Sequence, residues 1–331
     1  MWADEPQGCD FRRVPGGPSH DGAAVRCPLP LAAGRIHYVR RRARVGERRL
    51  FQYPEFDPVA ISLGPLQVRW YGLMYLAGFV VAWLGMRSRA KKPWSPVKPE
   101  QVDDIVFYAA LGAIIGGRIG YMLVYGTQEL LADPRSLYRV WQGGMSFHGG
   151  LAGVLVAMWI YGRYVRERFF VLTDFLAPWA PAGLMLGRIG NFINGELWGK
   201  PTDSAWGVVY HGQARHASQL YEAFLEGLVL FLIVWVYTRK PRPTMAASGV
   251  FLLGYGVFRS VVEFVRVPDI QLGYLALGWL TMGQILSVPL MIAGVVLLWL
   301  AYRGGSVAPA HAPPPSAPAP KPSAPAPKRA R

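Results

Sequence analysis

The sequence predicts an all-α polytopic membrane protein with about seven transmembrane helices and a small extracytoplasmic loop region. Three observations carry that expectation. Of the 331 residues, 52% are hydrophobic and only 17% are charged, against about 25% charged in soluble domains. The apolar residues gather in seven segments, at about 66–86, 104–125, 146–163, 172–190, 217–237, 249–266 and 278–301. Each is long enough to cross a hydrocarbon core ~30 Å thick as a helix. The basic residues, which set the net charge at +15, lie in short links between the apolar segments. That is the pattern of membrane topology, and no nucleic-acid partner is expected. A chain this apolar is neither disordered over most of its length nor a simple soluble enzyme.

Residues 1–50 differ from the rest. They hold ten Arg and five acids, with no apolar run long enough for a signal peptide. They read as a disordered or over-called N-terminal extension that activity does not need. The stretch 304–331 is rich in Ala, Pro and Lys and reads as a disordered cytoplasmic tail. The domain between them, 51–303, carries the spans. In the second span Gly112, Gly116 and Gly120 recur every four residues, a face on which another helix can pack closely. Orientation follows from the Lys/Arg bias. With the first span running inward, the cytoplasmic links and tail hold sixteen basic residues. The opposite loops hold four, Arg135, Arg139, Lys200 and Arg215. The expectation is N-terminus out and C-terminus in, a rule the ten Arg of residues 1–50 would break.

Charges inside apolar spans cost roughly 2.5–3.5 kcal/mol each on insertion scales, so the exceptions point to chemistry. Arg118, Arg188, Arg259, Glu263 and Arg266 lie in or at the ends of spans two, four and six. All three spans run outward, and each charge falls in the outward part. His148 opens span three and Tyr71 lies near the start of span one, at the same depth. Arginines gathered at headgroup depth suit a phosphate, because guanidinium donors match its oxygens two at a time and stay charged. Arg118 and Arg266 are the weakest of these, since either can serve structure alone. Tyr255, Arg259 and Glu263 are four residues apart and form one polar stripe. That stripe is an internal salt bridge, a site where Glu263 orients Arg259 toward an anion, or both. Span four ends in a Gly/Asn turn that brings Arg188, Asn191, Asn194 and Glu196 within reach of one small polar ligand. His148 beside Gly149 and Gly150 is a candidate general base.

Both cysteines, Cys9 and Cys27, precede the first apolar segment. The spans therefore hold no cysteine nucleophile and no thiolate metal site, and no metal or cofactor is expected. Thiol chemistry would need a substrate thiol. An anion or lipid transporter would use a similar arginine cluster but would place it near the midplane between repeats. The only repeat is a Gly-Arg-Ile-Gly at 117–120 and 187–190.

Six stretches resemble the bacterial prolipoprotein diacylglyceryl transferases: RWYGLMYLAGF (69–79), GGRIGYMLVY (116–125), GGMSFHGGLAG (143–153), GRIGNFINGELWG (187–199), HASQLYEAFLEG (216–227) and YGVFRSVVEFVRVPD (255–269). They occur in the family's order, and the resemblance covers about 53–301. It implies a seven-span enzyme of the bacterial inner membrane, with 51–303 as a transmembrane catalytic domain whose site faces the extracytoplasmic side. The implied reaction moves the diacylglyceryl group of phosphatidylglycerol onto the lipobox cysteine thiol of a prolipoprotein and releases glycerol 1-phosphate. The implied partners are phosphatidylglycerol, prolipoprotein signal peptides with a lipobox cysteine, and membrane lipids. By the same resemblance Arg188 is the phosphatidylglycerol-binding arginine and Arg259 the second key arginine, both assigned here to the phosphate; Tyr71, His148, Asn191, Gly199 and Tyr255 match functional positions, with Tyr71 and His148 expected to be catalytic. Asn194, Glu196 and Glu263 complete the expected lipid-binding set.

Overall fold

The computed structural model describes residues 50–64, 66–268, 275 and 279–308. The expectations for 1–49 and for the tail beyond 308 lie outside the described residues. Each of the seven apolar segments forms helix: α1 (Trp70–Ala90), α2 (Pro99–Val124), a short α3 (Thr127–Ala132), α4 (Phe147–Val165), α5 (Phe169–Leu176) and α6 (Ala180–Ile193). Then come α7 (Ser218–Glu222), a π-helical stretch Ala223–Val229 and α8 (Leu230–Tyr237), which run on as one rod, followed by α9 (Ala246–Glu263) and α10 (Met282–Gly304). By length and composition, three of these are long and apolar enough to cross a membrane: Pro99–Val124, Ser218–Tyr237 and Met282–Gly304. A fourth is possible if α5 and α6, bent by 48°, count as one. Pro178 and Pro181 stand at that bend, where each removes a backbone donor from the helical ladder.

The protein is mostly helical but not all-α, which corrects the sequence expectation. β1 (Phe51–Gln52) pairs parallel with β4 (Val208–Tyr210), which pairs antiparallel with β5 (Gln213–Arg215). β2 (Val59–Leu63) and β3 (Leu66–Arg69) form a hairpin that leads directly into α1. These strands are two to five residues long, too short to register as apolar runs. Their turns are visible in sequence only as Gly64 and His211-Gly212, which take positive φ.

Helix packing follows the small residues. An added Cβ on Gly112 would stand 2.5 Å from the Gly153 carbonyl, and one on Gly116 would stand 2.4 Å from that of Gly149. The glycine stripe of α2 thus lets the α4 backbone approach to contact. A core of Met86, Ile105, Met158, Leu172 and Phe175 joins α1, α2, α4 and α5. The outward surfaces are apolar too: Leu76, Phe107, Leu123, Trp159, Ile292 and Trp299 are all exposed. So wide an apolar exterior is stable in lipid, not in water.

Candidate active site

The start of α1, the ends of α6 and α9, and the start of the α7–α8 rod meet at one end of the bundle, where the small sheets lie. The turn after α6 is held from outside by aromatic residues. The Tyr53 hydroxyl donates to the carbonyls of Phe192 and Ile193 at 2.8 and 2.9 Å, closing the last turn of α6. Trp198 stacks on Tyr210 at 4.7 Å, and its indole N–H donates to the Gly195 carbonyl at 2.9 Å. Gly195 and Leu197 both take positive φ, so the chain reverses sharply. Within that reversal Asn191 Nδ2 donates to Glu196 Oε2 at 3.3 Å and Asn194 Nδ2 to Glu196 Oε1 at 3.1 Å. Three of the predicted residues therefore form one network around the Glu196 carboxylate. Gly199 is a close-approach point: an added Cβ would lie 2.6 Å from the Val265 carbonyl and 2.9 Å from His216 Cβ. Burial, with Lys200 beside it, holds the His216 imidazole below its ordinary value, and its Nδ1 lies 3.3 Å from the Tyr221 hydroxyl.

Behind this turn lies a buried ionic cluster. Glu222 is fully buried, and its carboxylate meets three arginines from two parts of the chain. Oε2 lies 2.8 Å from Arg188 Nε, and Oε1 lies 2.8 Å from both Arg259 Nη1 and Arg266 Nη1. Glu263 lies 3.0 Å from Arg259 Nη2 and 3.5 Å from Arg266 Nε, and it accepts from the Thr281 hydroxyl at 3.0 Å. It also sits against Gly283 at the start of α10, where the helix dipole favours a carboxylate. The third acid, Glu226, is fully buried and one helical turn beyond Glu222. The arginine side chains keep 13–20% of their surface exposed while the acids keep 5% or less. The arginines are thus the more exposed members of the cluster, and their guanidinium donors suit an anion with several oxygens.

Arg188, Arg259 and Glu263 meet as the sequence predicts, but Glu263 is engaged with arginines and Thr281 rather than open to a ligand. Arg266, a weak candidate by sequence, shares Glu222 with Arg259. Tyr71 lies 3.1 Å from the Tyr75 hydroxyl and close enough to Arg188 and Glu196 to feel both charges. Tyr255 feels the charges of Glu226, Arg259 and Arg188 and packs against the core around Leu230 and Val234. His148 is exposed at the first turn of α4, and its described neighbour is the Phe147 ring at 5.7 Å. No described hydrogen bond or ion pair joins it to the cluster. Sequence reasoning missed Glu222 and Glu226. The signal was present, since two acids four residues apart in an apolar segment are as costly as the arginines that drew attention. The π-helical turn that carries Glu226 is a further mark, because such turns recur at functional sites.

The family model for prolipoprotein diacylglyceryl transferase matches residues 58–300. The chain belongs to that family. A relative from Methylococcus capsulatus is 58% identical over 257 residues, covering 76% of this chain and 98% of its own length. One from Solidesulfovibrio magneticus is 60% identical over 259 residues, covering 77% and 97%. One from Pseudomonas aeruginosa is 54% identical over 267 residues, covering 80% and 100%. All three carry the name phosphatidylglycerol–prolipoprotein diacylglyceryl transferase. The family match holds the hairpin, the Gly/Asn turn and every residue of the ionic cluster. Arg259 lies four residues before the end of α9, and Glu222 and Glu226 are the fifth and ninth residues of the rod that begins at Ser218.

Proposed function

We propose that this protein transfers the diacylglyceryl group of phosphatidylglycerol to the lipobox cysteine thiol of prolipoproteins. The observation that carries the reading is the convergence of Arg188, Arg259 and Arg266 on the fully buried Glu222, with the arginine side chains partly exposed. In this reading the substrate thiolate attacks the glycerol carbon that bears the phosphate ester. A carbon–sulfur bond forms, the carbon–oxygen bond to phosphate breaks, and glycerol 1-phosphate leaves with the bonding pair. Arg188 and Arg259 neutralise the phosphate as it departs. Glu222 and Glu263 hold the two guanidinium groups in place. Asn191, Asn194 and Glu196 present hydrogen-bonding groups to the glycerol headgroup beside Tyr71, while Gly199 and Tyr255 shape the walls. His148 takes the thiol proton, which matters because a free thiol with a pKa near 8.5 is mostly protonated at neutral pH.

The proposed setting is the bacterial inner membrane, with seven spans, N-terminus out, C-terminus in, and the site on the extracytoplasmic side. The bias of sixteen basic residues against four supports that orientation. The block 51–303 is the proposed catalytic domain, flanked by a dispensable extension and a cytoplasmic tail. The test is purified protein in vesicles containing phosphatidylglycerol, given a peptide with a lipobox cysteine. The expected product is a peptide heavier by one diacylglyceryl group, resistant to thioester cleavage, together with glycerol 1-phosphate. Transfer in vesicles without phosphatidylglycerol, or none with it, would refute the reading.

A further inference from the structure

Glu226 differs from the other two acids of the cluster. It is fully buried, and among the described residues neither of its oxygens accepts a hydrogen bond. Oε1 stands 3.7 Å from Arg259 Nη1 and Oε2 stands 4.0 Å from Arg188 Nη2. Each oxygen thus faces a different arginine, and these are the two arginines assigned to phosphate. The other charged or titratable groups facing it are Glu222 on its own rod, Tyr255 on α9, and Arg266. A carboxyl group withdrawn from water with no hydrogen bond is costly. An amide or an aliphatic side chain would fill the same space at lower cost, so packing does not account for an acid here.

The distances suggest what does. A shift of about one ångström by either arginine would bring it to charge-assisted hydrogen-bonding distance of Glu226. Glu222 already anchors both arginines at 2.8 Å, so Glu226 is not needed to hold them. It stands where a waiting counter-anion would stand. Three arginines facing three glutamates make a balanced cluster, and without Glu226 the two arginines would hold a departing phosphate more tightly.

We propose that Glu226 is a positioning residue that competes with phosphate for Arg188 and Arg259 and thereby sets the rate at which the phosphate product leaves. The inference rests on the transfer reaction proposed above. It is tested by steady-state transfer to a lipobox peptide, with glycerol 1-phosphate added as inhibitor, for the parent and for Glu226→Gln. Glutamine keeps the shape and removes the counter-anion. The expected result is that kcat and the KM for phosphatidylglycerol fall together, by about fivefold, and that the inhibition constant for glycerol 1-phosphate falls by about tenfold. Protection of the detergent-solubilised protein against thermal unfolding by glycerol 1-phosphate should shift to lower concentration by the same factor. A purely structural role would raise KM or lower kcat alone and leave the inhibition constant unchanged, and either result, or no change in any constant, overturns the proposal. If Glu226→Gln does not accumulate in the membrane, Glu226→Asp draws the charge back by one methylene. It should tighten product inhibition less strongly, and an unchanged inhibition constant again overturns the proposal. Absence of transfer by the parent would instead remove the reaction on which the inference rests.

Discussion

Arg118 and the cluster of Arg188, Arg259 and Arg266 are all arginines in or just beyond apolar helices, yet they spend their donors differently. Arg118 is 4% exposed and meets no acid among the described residues. Its guanidinium donates to the carbonyls of Ser136 at 2.6 Å, Leu137 at 3.3 Å, Gly144 at 3.2 Å and Gly143. Those carbonyls belong to the link between α3 and α4, so Arg118 fastens that link to α2 and has little left to give. The three clustered arginines pair with a buried carboxylate while their side chains stay 13–20% exposed. The cost of placing a charge in a span is similar in both regions. What separates a fastening arginine from a binding one is whether its donors are used up by fixed backbone acceptors or shared with acids beside an open face.

The comparison breaks most sharply at Glu222. Glu222→Gln leaves three guanidinium groups without their common anchor. It should lower stability by about 3 kcal/mol and abolish most transfer, read by thermal unfolding in detergent and by the peptide assay together. A variant that unfolds at the parent temperature would mean that Glu222 does not anchor the cluster. Arg188→Lys tests the open face. Lysine keeps the charge but not the planar fork, so transfer should fall about a hundredfold while the protein still folds. Near-normal transfer at saturating lipid would exclude paired contacts to phosphate.

Arg118→Lys sharpens the other half. Lysine has three donors in place of five, so some carbonyls of the link lose their partner. Stability should drop by about 2 kcal/mol, with kcat at saturating lipid within about twofold of the parent. A hundredfold loss of kcat in a folded Arg118→Lys protein would erase the distinction between the two regions. His148, for which no hydrogen bond or ion pair is described to either region, is tested by pH. His148→Gln should lose about tenfold at pH 7, and the loss should shrink toward pH 10 as the substrate thiol ionises unaided. Arg259→Gln should stay impaired across the same range, because the leaving phosphate needs a counter-charge at every pH. A constant fractional loss for His148→Gln would remove it as the base.

Much of this architecture is legible in the sequence because its causes are local or periodic. Apolar runs of about twenty residues become helices, since within one segment of that length a helix satisfies its own backbone in lipid. The Gly112, Gly116 and Gly120 stripe announces a close helix contact because only a missing Cβ permits one, and α4 fills it. The run from Arg188 to Gly199 declares a polar turn through its Asn and Gly content, and Asn191, Asn194 and Glu196 do meet there. Partners are another matter. Tyr53, just after β1, closes α6 from 139 residues away in sequence, and nothing in its own neighbourhood says so. Sequence alone made Arg266 a weak candidate and Arg259 a strong one, yet both meet the same oxygen of Glu222. Whether a charge in a span is used up or left available depends on which acceptors tertiary packing brings within about 3 Å of it, and spacing along one helix does not contain that distance.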